Sequence, residues 1–303
     1  MNKIPLIAVC GPTASGKTSL AVRLAIEFDG EVVSCDSMQI YKNMNIGTAK
    51  PTADEMMGVP HHMIDVCDPS ENFNVSDYVS GAKKAIDDIF SRGKTVIICG
   101  GTGMYLDTLL RGTPCAPDVP DGIRETLEVK SSEELWNELF AADPESALAT
   151  HRNNRKRVIR ALEIFLGTGK TKTYWDALSR KNESKYDCLM LGLDYKDRNV
   201  LYDRIDRRVD IMFDAGIVEE VRGIGLDPNT TAGQAIGYKE IFDLLDGTIT
   251  AETARDRIKQ ATRRYAKRQL TWFRREENIH WFYPDDTPNF YDSVAALIKQ
   301  ERK

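Results

Sequence analysis

One short stretch of the chain has the residue types and spacing of a phosphate-binding loop. Residues 11–18 read GPTASGKT and fit the pattern G-x-x-x-x-G-K-[ST] at every position. The glycines of this pattern let the backbone curl, so that main-chain N–H groups point at a phosphate. Lys17 adds a positive charge, and the Thr18 hydroxyl is placed to bind Mg²⁺. The stretch therefore predicts a site for a phosphate or a diphosphate.

Asp36 is a second candidate for chemistry, because it ends the apolar run GEVVSCD. Ligands of open α/β sheets bind at the carboxyl ends of the strands, where an aspartate can act as a general base toward a hydroxyl or an amine. A helix N-cap or an indirect partner of a metal ion is the alternative role. The run KTVIICGG ends in Gly100-Gly101-Thr102-Gly103, without the acid that commonly holds Mg²⁺ in an ATPase. This weakens an ATPase assignment.

Two arginines later in the chain have the spacing of a single helix face. Arg204 and Arg208 are four residues apart in LYDRIDRRVDIMF, whereas Arg207 points elsewhere. An arginine from outside the loop can stabilise the charge that builds on a departing phosphate group. The alternative is an exposed arginine in surface ion pairs with Asp206 and Asp210.

The elements that must position these residues alternate between predicted strands and predicted helices. IPLIAVC, GEVVSCD and KTVIICGG have the composition of buried strands, and SLAVRLAIEF and MYLDTLL have helical spacing. DCLMLGLDY and IHWFYP return as strands, separated by a long helical stretch over 197–216 and a basic helix. Alternating strands and helices predict an α/β fold, namely a parallel sheet of the P-loop NTPase type flanked by helices.

A change of composition near residue 113 predicts a second domain. RGTPCAPDVPDG contains three prolines and two glycines and has the composition of a linker. Only helical patterns follow as far as about residue 185, for example VIRALEIF, in which Val158, Leu162 and Phe165 share a face. We therefore expect a core domain formed by 1–113 and 186–303, with an all-helical insertion domain over 114–185.

The charge of the chain is unevenly distributed. The net charge is −5, yet residues 251–275 contain nine Lys or Arg and two acids, and HRNNRKRVIR at 151–160 contains five basic residues and no acid. Such blocks are typical either of solvated helix faces or of a surface that binds a polyanion. The six cysteines lack metal-ligand spacing, and three of them (Cys10, Cys35 and Cys99) lie in apolar runs. The adjacent His61 and His62 also lack that spacing and are expected in a loop or at a strand edge.

The motifs together resemble the bacterial tRNA dimethylallyltransferases, also called tRNA isopentenyltransferases. The segments that carry the resemblance are GPTASGKT, DSMQIYKNMNIGTAKP, GVPHHMIDV, GGTGMYL, RALEIF, QAIGYKE and AKRQLTWFR, in that order from about residue 6 to about residue 281. DSMQIY and KRQLTWFR are not general features of P-loop proteins, so the combination is specific.

The resemblance implies a reaction and the residues for it. The exocyclic amine of the adenosine just 3′ of the tRNA anticodon would attack dimethylallyl diphosphate, and diphosphate would leave. Asp36 would accept the amine proton, Thr13 would hydrogen-bond the bridging oxygen, Lys17 and Arg208 would neutralise the diphosphate, and Thr18 would help to place Mg²⁺. The diphosphate would lie on Gly11, Pro12, Thr13, Ala14, Ser15, Gly16, Lys17, Thr18 and Arg208.

The resemblance also implies contacts with tRNA. The residues that match the family pattern are Asp36, Ser37, Met38, Gln39, Thr102, Arg124, Lys156, Arg157, Val158, Ile159, Arg160, Gln234, Ala235, Ile236, Gly237, Tyr238, Lys239, Lys267, Arg268, Gln269, Leu270, Thr271, Trp272, Phe273 and Arg274. This chain has Arg155-Lys156-Arg157 where family members often have Pro-Gln-Arg, which puts a base-specific contact there in doubt. Core packing is an equally good role for Trp272 and Phe273.

Three other functions are compatible with parts of the sequence. They are a P-loop small-molecule kinase with Asp36 as base, an adenylate isopentenyltransferase acting on free nucleotides, and an RNA-binding switch protein. The basic blocks and KRQLTWFR favour transfer to tRNA. The chain has no apolar run long enough for a membrane span, so we expect it in the cytoplasm. We also expect a monomer without an obligate protein partner.

Overall fold

The computed structural model describes residues 3–111, 119–181 and 184–302 of the chain. The chain divides into two compact units, one formed by the residues up to Asp107 and from Tyr186 onward, the other by Thr108–Lys185. We call them the sheet unit and the helical unit. The predicted domain boundary after residue 113 lies outside the described residues, as does Cys115. No helix in the described ranges combines the length and the apolar character needed to cross a membrane.

The sheet unit is built on six strands. They are β1 (Ile4–Cys10), β2 (Gly30–Cys35), β3 (His61–His62), β4 (Thr95–Gly100), β5 (Tyr186–Leu193) and β6 (Ile279–Phe282). Their order is β3-β2-β4-β1-β5-β6, and each neighbouring pair is parallel. Cys10 at the end of β1 pairs with Gly100 of β4 and Gly192 of β5, and Cys35 of β2 also pairs with Gly100. The residues that follow β1, β2 and β4 therefore meet at one edge of the sheet.

Helices cover both faces of this sheet, which explains why its central strands are apolar throughout. Helix α1 (Lys17–Glu27) packs Leu20 and Leu24 into one core together with Val294 and Ile298 of α14 (Phe290–Glu301). Helix α3 (Val75–Ser91) contacts β2 and β4. Asn74 caps α3 by accepting hydrogen bonds from the backbone N–H groups of residues 76 and 77.

The sheet unit contains further helices. Their bounds are α2 (Ala53–Met56), α4 (Gly103–Arg111, which extends into the helical unit), α10 (Arg198–Asp214), α11 (Ile217–Ile224), α12 (Tyr238–Leu245) and α13 (Ala251–Phe273). Helices α10 and α13 share a small core in which Leu201 and Ile205 meet Ala266 and Leu270. Ion pairs between the two helices fix the side of α10 that faces α13.

The helical unit has its own core. It contains α5 (Ile123–Glu128), α6 (Ser132–Ala142), α7 (Pro144–Ala149), α8 (Arg155–Thr168) and α9 (Lys172–Lys181). Leu127, Leu135, Leu139 and Leu162 are buried at its centre. The buried Asp143 caps α7 and also accepts the backbone N–H and the hydroxyl of Thr173 at 3.0 and 2.6 Å, which ties α9 to the core.

The predicted α/β class, a parallel sheet flanked by helices, is confirmed. His61 and His62 form the short edge strand β3 beside β2. Helix α3 is an element that the sequence analysis does not predict. Four cysteines (Cys10, Cys35, Cys67 and Cys99) are buried free thiols, and Cys188 is a half-buried one.

Candidate active site

The phosphate-binding loop connects β1 to α1 and has the backbone of an anion cradle. Gly11, Ala14 and Gly16 have positive φ angles of 138°, 62° and 94°. Such alternation turns successive N–H groups toward one point, and the N-terminus of α1 adds its partial positive charge there. A Cβ on Gly11 would collide with the carbonyl oxygen of Leu193 at the end of β5, so only glycine fits at this position.

Two arginines of α10 reach this loop. Arg204 donates from Nε to the carbonyl oxygen of Ala14 at 2.8 Å, and Arg208 donates to the hydroxyl of Thr13 at 3.2 Å. Burial lowers the pKa of Arg208 from its ordinary value, although the guanidinium stays charged at physiological pH. Asp206 and Asp210, the alternative partners in the sequence, pair instead with basic residues of α13. The structure therefore places the Arg204–Arg208 face against the phosphate loop.

Lys17 completes the positive charge of the loop. Its Nζ donates to the carbonyl oxygen of Pro12 at 2.5 Å. Burial, reinforced by the neighbouring Arg208, lowers the pKa of Lys17 to about 8, while Asp36 acts in the opposite direction. A bound anion would favour the charged ammonium and raise this pKa again.

Asp36 lies just beyond β2, as the sequence predicts, and one of its two oxygens is already used. Oδ1 accepts the backbone N–H groups of Met38 at 2.9 Å and Gln39 at 3.3 Å. Within the described residues, no group donates a hydrogen bond to Oδ2. The capping role and the role as a base are thus compatible, because Oδ1 fixes the turn and holds the carboxylate while Oδ2 remains available.

Threonine 102 joins the ends of β2 and β4. Its hydroxyl accepts the backbone N–H of Ser37 at 3.1 Å, and its own N–H donates to the carbonyl oxygen of Cys35 at 3.2 Å. A Cβ on Gly100 would collide with Cys35, which explains the glycine at the end of β4. Thr102, Ser37 and Asp36 are therefore neighbours, as the predicted site requires.

The end of α13 alternates between buried and exposed side chains. Lys267, Arg268, Thr271 and Arg274 are exposed, whereas Gln269, Leu270 and Phe273 are buried. The indole of Trp272 lies over Gly103 and donates to Asp107 at 3.0 Å. Trp272 therefore packs against α4, and Phe273 packs in the core, which is the structural role that the sequence left open for both residues.

The predicted tRNA-binding residues in the segment over 234–239 and in the helical unit are likewise divided into exposed and buried ones. Gln234 and Lys239 are exposed, Ile236 is half-buried, and Ala235, Gly237 and Tyr238 are buried. In the helical unit Lys156, Arg157 and Arg160 are exposed on α8, while Val158 and Ile159 are in its core. The side chains of these buried residues are not accessible to a ligand in the structure, so contacts between them and tRNA remain predictions.

Arg124 is held by a carboxylate of the same unit. Its guanidinium makes two hydrogen bonds to Glu163, at 2.8 and 3.0 Å, and Arg160 lies 3.6 Å from the same carboxylate. The Glu163 side chain is only 6% exposed, so two arginines of the predicted tRNA surface share one buried anion.

Glu220 is a residue of the site region that the sequence analysis does not identify. Its carboxylate accepts the backbone N–H groups of Asn45, Ile46 and Gly47 at 2.7–3.0 Å and the hydroxyl of Tyr238 at 2.6 Å. This fixes the segment that follows DSMQIY. No local pattern marks Glu220, because its partners lie 173 or more residues away apart from Tyr238.

Clusters of metal-ligating side chains are absent from the described part of the chain. It contains no group of three or more His, Cys, Asp or Glu side chains arranged to hold a metal. The buried hydroxyl of Ser15 has no hydrogen-bond partner among the described residues, and Thr18 lies half-exposed at the start of α1. Such hydroxyls suit Mg²⁺ that is held mainly by the oxygens of a diphosphate.

Comparison with known proteins decides the family. The family model described as IPP transferase matches residues 39–276. The chain belongs to the IPP transferase family. It is 43% identical to the tRNA dimethylallyltransferase of Thermoanaerobacter sp. (strain X514), over 98% of this chain and 97% of that one. It is also 45% identical to the enzyme of the same name from Geobacter sulfurreducens, over 98% and 96%.

Solved structures of the family have the same fold. The full-length tRNA isopentenylpyrophosphate transferase of Bacillus halodurans is 41% identical and superposes with a TM-score of 0.73 over 99% of this chain and 98% of that one. A eukaryotic dimethylallyltransferase described as acting on tRNA is 32% identical, with a TM-score of 0.84 over 97% of this chain and 78% of the other. The predicted family and the predicted P-loop type of fold are confirmed.

Proposed function

We propose that this enzyme transfers the dimethylallyl group of dimethylallyl diphosphate to the exocyclic amine of the adenosine 3′-adjacent to the anticodon of tRNA, releasing diphosphate. The observation that carries the proposal is the convergence of Lys17, Arg204 and Arg208 on one phosphate loop, with the carboxylate of Asp36 nearby. This arrangement suits a reaction that expels a highly charged group and removes one proton from an amine.

Stabilisation of the leaving group is the main task. An allylic carbon ionises readily, so the barrier depends on how well the departing diphosphate is stabilised. The hydroxyl of Thr13, which accepts a hydrogen bond from Arg208 at 3.2 Å, would donate to the bridging oxygen. Lys17 and the loop N–H groups bind the terminal oxygens. Thr18 would supply a ligand to Mg²⁺, and the ion would neutralise further charge on the diphosphate.

Deprotonation of the amine is assigned to Asp36. Its Oδ1 is anchored by two backbone N–H groups, so the carboxylate keeps one orientation while Oδ2 accepts the proton. The amine belongs to a base in a folded RNA, which must leave its stack to enter the site. Ser37 and Thr102, which are hydrogen-bonded to each other next to Asp36, are proposed to contact this nucleotide. Gln39 is proposed to contact it as well, although its side-chain amide is bonded to Ser34 and to the backbone of Thr48 and Ala49.

The exposed basic residues at the end of α13 and at the start of α8 are proposed to contact the tRNA backbone. We further propose that the enzyme acts in the cytoplasm, where tRNA is modified, and that it acts as a monomer.

Transfer of label tests the proposal. The protein is incubated with dimethylallyl diphosphate labelled in its prenyl group and with unmodified tRNA, and incorporation into RNA is counted. A matched tRNA with guanosine at the 3′-adjacent position should remain unlabelled. Thr13→Val keeps the side-chain volume and removes the hydroxyl, and it should slow transfer by about 10²-fold or more. Consumption of ATP without any transfer would instead favour the kinase alternative.

A further inference from the structure

Gln269 makes two long-range contacts that join the phosphate loop to another strand end. It lies on α13, and the residue is 5% exposed. Its Oε1 accepts the backbone N–H of Thr13 at 2.8 Å, and its Nε2 donates to the carbonyl oxygen of Gly101 at 3.0 Å. Thr13 and Gly101 follow β1 and β4, so one amide connects the two strand ends around which the site is built.

The orientation of this amide is fixed by its partners. Thr13 offers a donor and Gly101 an acceptor, and only one arrangement of the amide satisfies both. The space beside it is also closed, because a Cβ on Gly101 would collide with Nε2 of Gln269. The hydrogen bond to Gly101 is buried and the one from Thr13 is partly buried, so losing the amide leaves the Gly101 carbonyl oxygen without a partner in the interior.

The contact with Thr13 bears directly on the reaction. Because the Thr13 N–H is occupied by Gln269, it is not directed at the diphosphate with the other N–H groups of the loop. Instead, the bond fixes the backbone of Thr13 from one side while Arg208 contacts its hydroxyl from the other at 3.2 Å. The position of that hydroxyl is therefore determined by a residue 256 positions away.

We propose that Gln269 is a positioning residue for the leaving group, which holds Thr13 where its hydroxyl can donate to the bridging oxygen. The proposal rests on the proposed function. It differs from a contact with tRNA at this position, since the side chain faces the loop rather than the exposed side of α13. A group that matters in the transition state should affect kcat more than the binding of either substrate.

Gln269→Met tests this with little change in side-chain volume. We expect kcat to fall by about 10- to 100-fold, with KM for dimethylallyl diphosphate and Kd for tRNA both within about threefold of the wild type. Gln260→Met makes the same chemical change at an exposed position of the same helix and should leave all three constants unchanged. Amide hydrogen exchange of the peptide that covers residues 11–18 should accelerate in Gln269→Met and stay at the wild-type rate in Gln260→Met.

A second variant separates a failure of folding from a failure of the inference. Gly101→Ala displaces the same amide and leaves α13 intact, so it should reproduce the loss of kcat and the faster exchange of the loop. Equal kcat for Gly101→Ala and the wild type, or loss of tRNA affinity with unchanged kcat in Gln269→Met, would overturn the role. A wild-type protein without any transfer would refute the proposed function, and the exchange experiment would still decide whether Gln269 holds the loop.

Discussion

Replacement of Glu220 by glutamine should destabilise the sheet unit and loosen the segment over 45–47. In the wild type Oε2 accepts the N–H groups of Asn45 and Ile46, and Oε1 accepts the N–H of Gly47 and the hydroxyl of Tyr238. An amide presents one oxygen to these four donors, and its NH₂ group faces two of them. With hydrogen bonds to charged groups at about 1.5–3 kcal/mol each, and partial access of water near Asn45, we expect a loss of about 2–4 kcal/mol.

Chemical denaturation followed by circular dichroism measures this loss, and amide exchange at residues 45–47 locates it. Glu219→Gln is the matched control, because it makes the same change at the preceding, exposed residue. Tyr238→Phe removes one of the four bonds and should cost about 1–2 kcal/mol. If Glu220→Gln stays within about 0.5 kcal/mol of Glu219→Gln, or if exchange at 45–47 is unchanged, the carboxylate does not organise this segment.

Four further predictions concern chemistry, binding and stability. Asp36→Asn keeps an oxygen that caps the turn and removes the general base, so kcat should fall by about 10²–10⁴-fold while the affinity for tRNA is retained. A kcat within about twofold of the wild type would show that Asp36 is not the general base. The pKa of Lys17 is lowered to about 8, so the ammonium is charged below pH 8 and loses its charge above it. The affinity for dimethylallyl diphosphate should therefore decrease as the pH rises above about 8. Titration calorimetry measures this affinity, and Lys17→Arg should abolish its dependence on pH. The pKa of Glu31 is lowered to about 2, chiefly by its hydrogen bond to Arg92. The ionised carboxylate therefore stabilises the fold fully above the unfolded-state pKa near 4.5, and this contribution is lost as the pH falls toward 2. In a series of unfolding experiments, the free energies of unfolding of Glu31→Gln and the wild type should converge in that acidic range. Arg124→Ala removes two hydrogen bonds from the buried Glu163 carboxylate and leaves Arg160, at 3.6 Å, as its partner. Because the Arg124 side chain is itself 48% exposed, we expect the helical unit to lose about 1–3 kcal/mol, and replacing both residues by methionine should cost less. Equal losses in the single and double variants would show that Arg124 does not compensate Glu163.

Local patterns were sufficient to predict the parts of the site that lie next to strand ends. GPTASGKT follows β1 and runs into the first turn of α1 as the motif requires, and Asp36 follows β2. The four-residue spacing of Arg204 and Arg208 predicted a common face, and both side chains reach the phosphate loop. These predictions rely on periodicity and on the rule that parallel strands end at one edge, which are properties of short segments.

Contacts between distant segments could not be derived in the same way. Nothing in the spacing of QLTWFR shows that Gln269 would face Thr13 rather than solvent, because the packing of α13 against α10 sets its rotation. The same limit applies to Glu220, whose partners lie in a segment without regular structure. Helix α3 was missed although Asn74 and Asp77 form a capping box at its start, a signal that the sequence does contain.

The distribution of charge around the loop indicates which step the site assists most. Lys17, Arg204 and Arg208 bring three basic side chains to residues 12–14, while Asp36 is the carboxylate whose field reaches both Lys17 and Arg208. Burial already lowers the pKa of Lys17 and Arg208, so the protein alone does not compensate these charges fully. A diphosphate ester compensates them in part, and it gains negative charge as its bond to carbon breaks. In the proposed reaction the attraction is then greater for the departing group than for the intact donor, so this electrostatic contribution would lower the barrier rather than only tighten binding.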